Sequence, residues 1–316
     1  MKKNIIVVCT FLICCIILIG IFINTKVNGQ MTGKKMEFFP VEVCYGNHYL
    51  YCIGRTYEEN GSYFDKVYRI NIENSQWEKI DQLEEDNFFP QKITIYENQL
   101  YIISYNSSLD TYQLCKFDGE EVIPIYNLDK NLKSEDILIK GFCITQEQVC
   151  YIREENNKLT LCIDLKTQKE KIIQDDIENG FFESMAVGKN GCLYMLFCNG
   201  LENGGGYILY KIKGTDIEIE NKGMLLPYDD LYSVMGKGDG KYDFYIKSIN
   251  SLYGYNEKDK KFDYIQKIDD SVYEFTKTCF TGENYYIYMG MKLVQQKGKN
   301  FNYMNFSIIE LSEINE

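Results

Sequence analysis

One two-strand pattern recurs along most of this 316-residue chain at nearly constant spacing. Its clearest copy is Lys158 to Ile173, KLTLCIDLKTQKEKII. Leu159, Leu161 and Ile163 alternate with Thr160 and Cys162, a polar turn spans Asp164 to Lys169, and Glu170 to Ile173 run back. Alternation over this length, bounded by turn formers, marks a half-buried β-strand. Further copies begin at Val67, Tyr112, Tyr207 and Ser251, with a partial one at Asn305. Each copy is preceded by another hairpin whose second strand carries a tyrosine: Tyr51, Tyr101, Tyr151, Tyr194, Tyr245 and Tyr288. These tyrosines recur every 43 to 51 residues.

Four strands per unit at such a period predict the blades of an all-β propeller. One small sheet cannot bury both of its faces, so the units must stack around an axis. Six units fit between Met36 and Glu316, with seven blades or a pair of β-sandwiches as the alternatives. The sixth unit runs out before an outermost strand, and Met31 to Phe39 is expected to supply it and remove a free edge. The 15% aromatic content, with 27 tyrosines against one tryptophan, agrees with strands rather than helices.

The repeat period, together with strand-turn pairs such as Cys162-Ile163-Asp164-Leu165-Lys166-Thr167, resembles the six-bladed, TolB-like propellers of bacterial envelopes. That resemblance covers nearly all of the chain after residue 36 and implies a fold only. A single histidine and a single tryptophan exclude repeated WD signatures and the tryptophan repeats of quinone-dependent propellers. The paired glycines of kelch repeats are also absent from the second strands.

Ahead of the repeats, Ile5 to Ile23 is a run of 19 residues without a charge, preceded by Lys2 and Lys3. As a helix it would reach about 28 Å at about 1.5 Å per residue, close to the hydrocarbon thickness of a bilayer. Residues 1–27 are therefore expected to form a signal anchor, residues 28–36 a linker and residues 37–316 the propeller. Cleavage after this segment is the competing reading, with Val27 and Gly29 as tolerable flanks. A short basic head before a single span resembles an export signal, so the body is expected outside the cytoplasm, held at the cell membrane.

Charge narrows the partners. The chain carries a formal -12, and the three lysines of residues 1–27 leave the remainder at -15. Such a body is a poor match for phosphate backbones, so nucleic acid is excluded as a partner. No constellation for covalent catalysis is present. His48, the only histidine, falls in a turn, and there is no nucleophile elbow to join it. Nine cysteines lie in the body without a Cys-x-x-Cys pair, mostly at apolar strand positions where a thiol packs as a small hydrophobe. Cys143 and Cys150 flank one short turn and are candidates for a bridge. Gly236 to Lys241 fails the phosphate-loop spacing and is read as a turn of the fifth unit. The in-phase tyrosines are read as packing between blades, not as a stacking platform for sugars.

The acidic pairs carry more information. Glu84, Glu85 and Asp86, Asp175 and Asp176, Asp229 and Asp230, and Asp269 and Asp270 fall between the last strand of one blade and the first of the next. Glu58 and Glu59, and Glu154 and Glu155, fall between second and third strands. In an up-and-down blade these two kinds of connector emerge at the same end. The other end receives Lys166, Lys169, Lys189, Lys213, Lys237, Lys258, Lys260 and Lys261. Ordinary solvated loops are the competing explanation. The expected function is a membrane-tethered, non-catalytic module that binds a basic protein or a small ligand at the acidic end. Calcium is a candidate there if carboxylates converge. The alternative is an envelope glycan hydrolase or lyase that uses two of these carboxylates.

Overall fold

The computed structural model describes residues 38–57, 61–72, 77–80, 87–128, 137–146, 148–163, 169–172, 180–199, 206–223, 233–237, 242–247, 251–267, 274–280, 285–296 and 299–310. The chain is all-β. Its first sheet holds β1 (Phe39–Gly46), β2 (Tyr49–Tyr57), β3 (Tyr63–Asn71) and β4 (Trp77–Lys79), in that spatial order. The second holds β5 (Phe88–Tyr96), β6 (Gln99–Asn106), β7 (Thr111–Phe117) and β8 (Val122–Asn127). The third holds β9 (Ile137–Ile144), β10 (Val149–Glu155), β11 (Lys158–Ile163) and β12 (Lys169–Ile172). The fourth holds β13 (Gly180–Val187), β14 (Leu193–Asn199), β15 (Gly206–Lys213) and β16 (Asp216–Gly223). The fifth holds β17 (Ser233–Lys237), β18 (Phe244–Lys247), β19 (Ser251–Asn256) and β20 (Lys261–Lys267). A three-stranded sheet of β21 (Glu274–Phe280), β22 (Tyr285–Gln296) and β23 (Lys299–Glu310) follows.

Every sheet is an antiparallel meander, so sequence neighbours are spatial neighbours and each blade closes locally. The first strands touch in a circuit, β1 on β5, then β9, β13, β17 and β21, which returns to β1. This places the first strands innermost around a common axis: the chain is a β-propeller. Ring closure runs through β1 and β21. Of the segment expected to close it as an outer strand, Phe39 instead opens β1 opposite Arg55, and Phe38 stacks on Tyr68 with ring centroids 3.9 Å apart. Residues 31–37 lie outside the described residues.

The core lies between the blades. Tyr51, Ile53 and Val67 of the first blade pack on Ile93, Leu100 and Ile102 of the second. Ile103 and Leu114 meet Ile139, Phe142 and Tyr151 between the second and third. Ile152 and Leu161 meet Met195 and Phe197 between the third and fourth. Tyr194 and Leu196 meet Phe244 and Tyr255 between the fourth and fifth. Burying each such side chain contributes about 1.5–3 kcal/mol. Tyr51, Tyr151, Tyr194 and Tyr245 are all buried, as their in-phase recurrence predicts.

The nine body cysteines are free, and seven of them are buried. Cys143 and Cys150 sit directly opposite one another on β9 and β10 but form no bridge. Burial pushes the thiols of Cys143, Cys198 and Cys279 well up, and that of Cys115 to about 12, so they are poor nucleophiles.

Tight turns set the register at both ends of the blades. Asn47-His48, Glu97-Asn98 and Asn156-Asn157 each put two residues at positive φ, between 50° and 64°, as a two-residue hairpin of this twist requires. His48 is such an exposed turn residue. Among the described residues no helix is long and apolar enough to cross a membrane, and the expected anchor at residues 5–23 lies outside them.

Candidate functional site

The innermost strands share an irregularity. The pairing with the second strand skips Val41 in β1, Gln91 in β5, Lys140 in β9, Glu183 in β13 and Met235 in β17, and it skips two residues in β21. A bulge leaves one residue outside the ladder and re-aims side chains, and bulges are common beside functional sites. All of these lie toward the start of the inner strand, at the end of the propeller where the blade-to-blade connectors arrive.

Charged side chains gather at this level. Lys92 Nζ donates to Glu42 Oε2 at 2.6 Å, bridging β5 and β1. Lys140 Nζ lies 2.8 Å from Glu154 Oε2, bridging β9 and β10. Arg55 donates twice to Asp65, at 2.8 Å each, and its guanidinium lies 3.9 Å from the centre of the Tyr63 ring. Glu183 differs from these carboxylates. It is half-buried, and it has no hydrogen-bond or ion-pair partner among the described residues. Desolvation by burial pushes its carboxyl up to about 7. Its charge is felt by Cys198, in the core between the fourth and fifth blades.

The same end is apolar at its rim. Tyr57, Tyr63, Phe89, Leu109, Leu138 and Phe181 are between 40% and 68% exposed. Phe39, Phe89, Leu138 and Phe181 each stand two residues before the skipped residue of their inner strand, so they occupy one circle around the axis. Phe39 meets Tyr57 edge-on at 5.4 Å, and Phe89 faces Tyr105 at 6.2 Å. The other large exposed hydrophobics, Ile123, Ile125, Ile219 and Tyr264, lie on outermost strands. The opposite end presents polar turns among the described residues.

Of the thirteen acids expected to form a site, only Glu154 and Glu155 fall within the described residues. Both belong to β10 and not to a loop, paired with Leu138 and Ile137 on β9 and with Leu159 and Lys158 on β11. The reason is that Asn156 and Asn157 take the left-handed backbone of the turn, which lets the ladder run to its last residue. Glu58, Glu59, Glu84, Glu85, Asp86, Asp175, Asp176, Asp229, Asp230, Asp269 and Asp270 lie outside the described residues. Glu42 and Glu183, absent from the expected set, come from inner strands instead of connectors. A glutamate flanked by apolar strand residues was the only available signal. No group of three or more His, Cys, Asp or Glu suited to a metal ion occurs among the described residues.

The opposite end carries a polar clasp between the fourth and fifth blades. Asn190 and Lys211 both donate to the Glu257 carboxylate, and Asn190 Nδ2 also donates to Tyr194 Oη at 2.9 Å. Asp243 accepts from the Glu257 backbone N–H at 2.8 Å. Burial pushes the Glu257 carboxyl up, but the bond from Lys211 and its other partners outweigh this and hold it below the usual range. Lys189, Lys213, Lys258, Lys260 and Lys261 are exposed at this end, as their turns imply. Each of these groups is matched within the chain or solvated, so the clasp serves blade docking.

No family model matches the chain, and no curated protein does. Solved structures do. A calcium-binding protein, regucalcin, from Agrobacterium tumefaciens aligns with TM-score 0.51 at 9% identity over 89% of this chain and 95% of that one. A catalytically inactive virginiamycin B lyase from Staphylococcus aureus in complex with quinupristin aligns at 0.49 with 8% identity, over 89% and 98%. Likeness at such identity concerns the β-propeller fold alone.

Proposed function

We propose that the chain is a membrane-anchored, extracytoplasmic propeller of six blades that binds a protein or small ligand and performs no chemistry. The observation that supports this is the difference between its two ends. Among the described residues, large exposed side chains of the first four blades stand around the axis at one end, above bulged inner strands and their carboxylates, whereas the turns at the other end are polar. A contiguous apolar patch rimmed by polar groups marks an interaction site on a soluble face. The uncharged run Ile5 to Ile23 supports the anchor.

Two experiments test this reading. Cells expressing the full chain and a form lacking residues 1–27 are fractionated, and only the full chain is expected in membranes. A soluble, unshortened full chain removes the anchor. Separately, Phe89→Ser, Leu109→Ser and Leu138→Ser are combined, and retention of envelope proteins is compared with wild type at low and high salt. Equal retention by a folded variant removes the binding end.

A second reading, an envelope glycan hydrolase or lyase, draws on Glu183, whose carboxyl near 7 suits a general acid. It needs a second carboxylate at about 5–10 Å. Glycan cleavage that Glu183→Gln abolishes would establish it.

A further inference from the structure

Around the apolar rim, three carboxylates of the first three blades are supplied with cations by the chain itself. Glu42 has Lys92, Asp65 has Arg55, and Glu154 has Lys140, all within 2.8 Å. In the fourth blade the equivalent level holds Glu183, at the skipped position of β13, with no cation among the described residues. Two residues before it stands Phe181, the most exposed of the large hydrophobics at 68%. Leu138, also exposed, stands at the equivalent position of the third blade's inner strand. We propose, building on the binding end described above, that Phe181, Leu138 and Glu183 dock an apolar peptide loop of a partner protein through one lysine or arginine.

Charge complementarity is the reason for this occupant. An ionised carboxylate that is half out of water without a counter-charge is unfavourable, and an incoming ammonium or guanidinium removes that penalty. The aromatic rim accepts the apolar flanks of the loop, and its faces attract the same cation. An acidic or purely apolar loop would leave Glu183 uncompensated, so the site discriminates by charge. The body's -15 adds long-range attraction for basic segments at low salt.

The test uses the full chain in detergent micelles and three labelled, capped pentapeptides, Leu-Phe-X-Phe-Leu, in which X is lysine, norleucine or glutamate. Fluorescence anisotropy reads the affinity at low salt, and chitotetraose serves as a competing glycan probe. The lysine peptide is expected to bind about tenfold tighter than the norleucine peptide, the effect of one compensated charge. Glu183→Gln should erase that ratio while leaving norleucine-peptide binding intact, and Phe181→Ser should weaken both peptides. Equal binding of lysine and norleucine peptides by wild type overturns the cation site and leaves the binding end standing. Failure of every peptide to bind overturns both. Displacement of the lysine peptide by chitotetraose overturns the peptide in favour of a glycan. Near-ultraviolet circular dichroism of the tyrosines confirms that each variant is folded.

Discussion

Lys92 on β5 donates from Nζ to Glu42 Oε2 on β1 at 2.6 Å, so the first two inner strands are tied by an ion pair beside their bulges. Both side chains are only about one-fifth exposed, which spares the pair part of the screening that weakens surface bridges. The Glu42 charge also raises the thiols of Cys44 and Cys143, the latter two blades away, after the larger effect of their burial. An interaction that spans separate blades is one that only the packing of blades around the axis creates.

Removing this pair should therefore loosen the first two blades. Lys92→Met is expected to cost about 1 kcal/mol in urea unfolding, and more at low salt than at 1 M salt. A double-mutant cycle with Glu42→Gln should show a coupling of about 0.5–1 kcal/mol. A coupling of zero would mean that the pair is incidental.

Gly141, at the bulge of β9, is where the third blade touches the fourth. A Cβ there would stand 2.6 Å from Phe182 Cζ and 2.7 Å from Met185 Sδ. Gly141→Ala is expected to destabilise by about 1–3 kcal/mol, because a packed layer accepts an extra methyl only by shifting. Thermal unfolding of this variant, compared with Gly223→Ala, where the nearest atoms are those of the Tyr207 ring at 3.3 Å, checks that packing is responsible.

Between the fourth and fifth blades, Tyr255 Oη donates to Glu220 Oε1 at 2.9 Å, and both groups are buried. Tyr255→Phe leaves that carboxylate oxygen without its donor and is expected to cost about 1–3 kcal/mol. The loss should shrink in Tyr255→Phe combined with Glu220→Gln, since the amide carries no charge to strand. Equal losses in the single and double variants would contradict the account.

Glu183 predicts a pH dependence of stability with a definite sign. Below about pH 4.3 its carboxyl is protonated in both the folded and unfolded states and contributes nothing. As the pH rises, the unfolded chain releases the proton while the folded protein keeps it up to about 7. This group therefore makes the fold less stable across that window, and the loss is complete above it. Glu183→Gln should melt like wild type at pH 4 and several degrees higher at pH 8. A variant less stable than wild type at pH 8 would show that Glu183 has an ionised partner.

The repeat of strand pairs was legible because alternation and turn chemistry are local. Leu159, Leu161 and Ile163 declare a strand without knowledge of their neighbours, and β11 and β12 form where the pattern places them. The tyrosine recurrence likewise announced the inter-blade packing of Tyr51, Tyr151 and Tyr194, since a residue on the same strand of each unit meets the same environment. The acids at strand ends were harder: Glu154 and Glu155 read as loop, because sequence does not reveal that the Asn156-Asn157 turn is only two residues long. The level of Glu42, Lys92, Lys140 and Glu183 around the axis was invisible in one dimension. Those residues lie roughly one blade apart in sequence, within unremarkable strands, and a one-residue bulge decides which of them leaves the ladder. The sequence alone determined the repeating unit, its hydrophobic faces and its net charge, because each depends on near neighbours along the chain. Asp65 and Glu154 found their cations on the next strand of the same blade, but Glu42 found Lys92 across two blades, a pairing that only the packing of blades around the axis brings within a few ångströms.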